Sequence, residues 1–342
     1  MTHPVSKQHA ESQETEAFAT SLKAEILCAL CLLAGKPKPS ANPHLTPLLR
    51  EMSAHRIGKK LIERFVHLSK SYEEKELFRA VLSFDCGNQS SNLELAEFHA
   101  LLAEGQLEPE NVFGSQEYYE LKSQIDALLQ STSGLVALID AGEAVSQLCG
   151  EHMDCRFEVL PSLFLPAPPE GRIGVMSATP IGKLVGRLHF GFPLQHDAEA
   201  FGIDPLFVEL HCRHLVLEAY LNRHWPNISR TLRTDADLEN EVRLLCDTTG
   251  YSKFWPNIIY VHLFTALKIH MGGYDEDVGI LSYKIGKERG LNILPWFVRW
   301  IGQSREANDG VLPLDLLYGA LIADKENWKT DAEIIASLSS AP

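Results

Sequence analysis

Read as a pattern of apolar and polar positions, the chain begins with a polar stretch, residues 1–17, that has no periodicity to bury and is expected to lack structure. From residue 18, "FATSLKAEILCALCLLAG" reads as a buried helix that stops at Gly35. The next segment sets Ile57, Leu61, Phe65 and Leu68 one helical turn apart. "YEEKELFRAVLSF", "NLELAEFHALLAEG" and the run from "QEYYELKSQ" to "SQLCGEHM" continue the helical texture, so the first 150 residues read as largely α. The texture changes near Asp154. "RFEVLPSLFLPAPPEGRIGVMSATPIGKLVGRLHFGFP" mixes Gly and Pro with short β-branched and aromatic runs, which predicts two to four short strands within residues 154–193. Helical spacing returns over Pro205 to Trp225, Ala236 to Cys246, Trp255 to Met271, Asp277 to Arg289, a short stretch after Asn292, and Pro313 to Ala323.

That order is mainly α (α+β). It predicts a helical bundle with one small antiparallel sheet, and it lacks the strand–helix alternation of a doubly wound sheet. The domain reading is a structureless 1–17, a helical region 18–150, and a region 151–330 holding the sheet and the later helices, all in one compact unit.

Charge narrows the partners. The net charge is −14 over 342 residues, with no basic run. Nucleic-acid binding needs clustered Lys and Arg against phosphate, and anionic lipid needs the same, so neither nucleic acid nor a membrane is expected as partner. The longest apolar run, Ile26 to Ala34, falls short of the roughly 20 residues that span a bilayer. The start of the chain lacks the apolar core of a signal peptide. The seven cysteines are scattered and odd in number, so no disulfide framework is implied. The expectation is a soluble, cytoplasmic protein.

Several strings resemble functional motifs without meeting their chemistry. "AGKPKPS" lacks the spacing of a phosphate loop, and its prolines remove amides that would cradle phosphate. "MSATP" has no Walker motif beside it. Cys28 and Cys31 form a C-x-x-C inside an apolar helix with no second Cys/His pair nearby, which suits buried small residues better than zinc or redox use. The "NIS" at Asn227 is a glycosylation acceptor only in a secreted chain.

"VELHCRHLVLEAY" is different. At 100° per residue His211 and His214 lie about 60° apart, and Glu218 falls about 20° from His211, so all three share one helix face. Phe207, Leu210, Leu217 and Leu221 lie on or beside that face, which is expected to point inward. Buried there, imidazole and carboxylate need partners, and either a metal or ordinary hydrogen bonds would serve. His262 and His270 sit on a second helix, "WPNIIYVHLFTALKIHMGG". Apolar residues surround His262, which reads as a hydrogen-bonded core histidine.

Together the Gly/Pro-rich β segment, "DPLFVELHCRH", a charged helix, "W-x-x-I-x-x-V-H-L-F-T-A" and "KERGLNILPWF" resemble a family of bacterial zincin-like metallopeptidases classed as a domain of unknown function. The resemblance implies a zincin-like core. It implies an H-E-x-x-H on the first key helix and a downstream helix of roughly E-H-L-V-R-A type whose Glu completes a zinc site. This chain departs from that pattern. With His214 on the second motif histidine, Leu210 stands at the first and His211 at the catalytic glutamate, while Val261 holds the acidic ligand's position. Leucine and valine offer zinc no donor atom. The reading is a zincin-like fold with a degenerate active site and no catalytic residues, kept to bind or regulate an unidentified protein or peptide partner. No cofactor is expected. Zinc is the one alternative held open, on His211, His214, His262 and Glu218. An active metal-dependent hydrolase with relocated ligands (His211, His214, His262) and an unrelated helical interaction protein are the alternatives.

Overall fold

The apolar run that follows residue 18 forms the buried half of helix α1, Pro4–Leu33. The structure is a computed structural model. It describes residues 4–34, 45–72, 77, 80–82, 93–132, 140–165, 172–178, 184–191, 205–246, 254–272 and 277–339, with α1 side chains described from residue 18. Helix α1 starts ahead of the structureless 1–17 that was expected. The added turns are rich in Lys, Gln, Glu and Ala, which propagate a helix once the buried part has nucleated it. Gly35 and most of the expected helix at 72–84 lie outside the described residues.

The chain divides into two compact units. Unit 1 comprises residues 1–139 and 156–208, and unit 2 comprises 140–155 and 209–342. Unit 1 packs α1 with α2 (Leu45–Ala54), α3 (Arg56–Leu68), α4 (Leu93–Leu107), α5 (Glu110–Phe113) and α6 (Ser115–Thr132). The helical spacing seen in the sequence becomes core: Ile57, Leu61, Phe65 and Leu68 are all buried, beside Phe98, Phe113 and Ile125.

The sheet of unit 1 has three strands in the order β1-β3-β2: β1 is Cys155–Ser162, β2 is Arg172–Ala178 and β3 is Leu184–Gly191. β2 and β3 pair antiparallel, Arg172 opposite Phe190 through Ala178 opposite Leu184. The expected all-antiparallel sheet needs correction, because β3 sits between the other two. β3 pairs antiparallel with β2 and parallel with β1. The β2 excursion supplies the long connection that a parallel pair requires. Gly186 marks the β1–β3 contact: a Cβ there would meet the Phe157 ring at 2.4 Å.

One polar contact fixes α1 to the strand end. Glu25 is wholly buried amid the α1 core residues. Its carboxyl accepts the backbone N–H of Leu163 at 2.6 Å, the N–H of Phe164 at 3.1 Å and the Ser162 hydroxyl at 3.2 Å. The Ser162 Oγ in turn accepts the N–H of Leu165 at 3.3 Å. Burial pushes the Glu25 carboxyl up to about 8 even against these donors. His189 on β3 is also wholly buried, and among the described residues neither ring nitrogen has a hydrogen-bond partner. Burial, with the nearby charges of Arg187 and Lys23, brings its pKa down to about 3.

Unit 2 joins α7 (Ala141–Cys149), the larger part of α8 (Pro205–Leu232), α9 (Ala236–Leu245), α10 (Pro256–His270), α11 (Val278–Arg289), α12 (Leu294–Ala307), α13 (Leu317–Ala323) and α14 (Lys325–Ser339). Asp140, Asp235 and Asp277 cap α7, α9 and α11 through their side chains. Gly290 ends α11 at φ 67, a left-handed position that favours glycine. α8 runs on through Pro226 beyond the expected end at Trp225. α14 has no counterpart among the expected helices, although Trp328, Ala332 and Ile335 carry its spacing and are buried. Asp331 on α14 is buried and accepts from Arg299 (3.2 and 2.6 Å) and from the Tyr283 hydroxyl (2.6 Å), tying α11, α12 and α14 together. Among the described residues no helix is long and apolar enough to cross a membrane.

Three substitutions probe these buried groups. Glu25→Ala orphans two buried N–H groups and should cost about 3 kcal/mol in urea unfolding. The gentler Glu25→Gln should act on pH. A carboxyl raised from 4.5 to about 8 contributes stability that is complete below pH 4.5 and is lost as pH rises through 8. That decline should flatten in Glu25→Gln, and an unchanged profile would show that the carboxyl is not buried. His189 works in the opposite direction, because a lowered imidazole contributes stability above pH 6.5 that is lost as pH falls towards 3. In thermal melts, His189→Leu should be neutral or stabilising at pH 7 and lose less stability on acidification. Wild-type acid sensitivity in that variant would refute the assignment.

Candidate functional site

α8 and α10 carry the candidate histidines, and side chains join them within unit 2. Arg213 Nη1 donates to the Met271 carbonyl at 3.3 Å, and the Tyr260 hydroxyl donates to Asn222 Oδ1 at 3.2 Å. The Trp225 and Tyr260 rings meet edge to face at 5.0 Å. From the first polar contact to the second the chain moves forward on α8 and backward on α10, so the helices are antiparallel.

The expected ligands have different neighbours: His214 meets His211, while His262 is engaged by Ile258 and Cys246. His270 lies at the end of α10. Its Nε2 donates to the Val298 carbonyl at 2.8 Å, turned towards α12. Burial lowers the His270 pKa.

His211 and His214 do sit together. Their rings lie 5.7 Å apart, edge to face. Both are half-buried, as is Glu218. This corrects the expectation that the trio points into the core. Val208, Cys212, Leu215, Val216 and Tyr220 are buried, along with the expected Leu217 and Leu221, while Leu210 is half-buried. The interior stripe of α8 is therefore rotated away from the histidines, towards its smaller apolar residues. The Phe207 side chain lies outside the described residues. Beside the pair, Arg213 is held by Glu209 one turn back on the same helix.

His262 is a core residue. It is 1% exposed, stacks on Phe297 with ring centroids 5.9 Å apart, and donates from Nδ1 to the Ile258 carbonyl at 2.7 Å. That bond fixes the tautomer, leaving Nε2 as acceptor towards the Cys246 thiol at 3.9 Å. Burial, partly offset by the Ile258 carbonyl, lowers His262 to about 4. Burial also pushes Cys246 up to about 12, against the N–H groups of Asn292 and Ile293 that reach its sulfur. The pair is thus a neutral thiol beside a neutral imidazole. A nucleophilic cysteine would require the opposite charge state.

The residues expected around a zinc ion have the following chemistry. Leu210 and Val261 lack donor atoms, and His262 is engaged on both nitrogens. Among the described residues no three His, Cys, Asp or Glu side chains are grouped to hold a metal ion. Compared with known proteins, the chain matches no family model, no curated protein and no solved structure.

Sequence reasoning missed Glu25 and the Cys246–His262 contact. Glu25 had a local signal: it is a lone acid between Ala24 and Ile26 in an otherwise apolar run. The Cys246 contact had none, since it depends on how the loop after α9 meets α10.

The buried imidazole gives a direct measurement. The His262 Hε1 resonance should hold its neutral shift from pH 8 down to 5. A midpoint near the ordinary 6.5 would place the ring in solvent and return it to the list of available ligands.

Proposed function

We propose that this chain is a zincin-like protein with a degenerate active site, acting as a non-catalytic binding or regulatory protein for a protein or peptide partner in the cytoplasm. The observation that carries the reading is the state of His262. The helix that should bring the third zinc ligand offers Val261 at that position, and its neighbouring histidine is engaged by Ile258 and Cys246. On α8 only His214 stands where the resembled family has a ligand. His211 is a poor replacement for the carboxylate that activates metal-bound water.

A second reading keeps some support from the edge-on pair of half-buried rings at His211 and His214. Two imidazoles one turn apart, with Glu218 a further turn on, are the remnant from which a relocated hydrolase site would have to be built. Among the described residues no three His, Cys, Asp or Glu side chains group to complete it.

Metal analysis of the purified full chain separates the two. Well under one zinc per chain is expected, and His214→Ala should shift the melting temperature equally with and without chelator. Stoichiometric zinc, lost together with stability on chelation or in His214→Ala, would sink the pseudoenzyme reading and establish the relocated site.

A further inference from the structure

We draw no further inference here: the strongest candidate, the half-exposed aromatic face that Trp225 of α8 forms with Tyr260 and Phe264 of α10 in unit 2, carries nothing because nothing in the structure shows what covers it.

Discussion

The Glu25 carboxyl is where distant parts of unit 1 have to agree. The helix that bears it is apolar enough to be buried for its own reasons, but a helix can slide or rotate against a sheet without large loss of apolar contact. Two backbone N–H groups and a hydroxyl converging on one carboxyl allow only one register. They also meet a need of the strand: past Ser162 the chain leaves β1, and the amides of Leu163 and Phe164 would otherwise be buried without acceptors. The side chains of those same two residues join the helical core, so the contact sets both the polar and the apolar packing of the strand end.

What could be read from the sequence follows the range of the forces involved. Helical cores obey local spacing, and the Ile57 to Leu68 stripe is buried as its periodicity implies. The β segment is announced by its glycines and prolines, but strand order is not, because nothing local says that β3 inserts between β1 and β2. The face of α8 illustrates the limit of a helical wheel. Leu217 and Leu221 pull the expected interior towards the histidines, whereas Val208, Cys212 and Val216, less weighty in such a reading, define the stripe that is buried. The candidate site was legible as a set of residue types and not as a geometry. Whether His262 could reach His214 depends on how α8 and α10 are offset, and no motif encodes that offset.

The histidines also show how one residue type divides by environment. His262 is neutral because burial makes charge costly and a carbonyl fixes its tautomer. His189 reaches the same state with no hydrogen-bond compensation among the described residues. His211 and His214 sit nearer the surface of α8, where another ring is the neighbour of each.

The path of the chain through the two units bears on how it is made. Residues 140–155 belong to the second unit, yet they are synthesised before the strands that complete the first. Neither unit is therefore finished when its first segment leaves the ribosome. The short α7 segment must wait for α8 and the helices after it, while α1 waits for the strand end that Glu25 holds. Chains normally fold one domain at a time from the N-terminus, and this arrangement interleaves the two. During synthesis the apolar half of α1 stays without its sheet for more than a hundred residues, an interval in which it invites chaperone binding or aggregation.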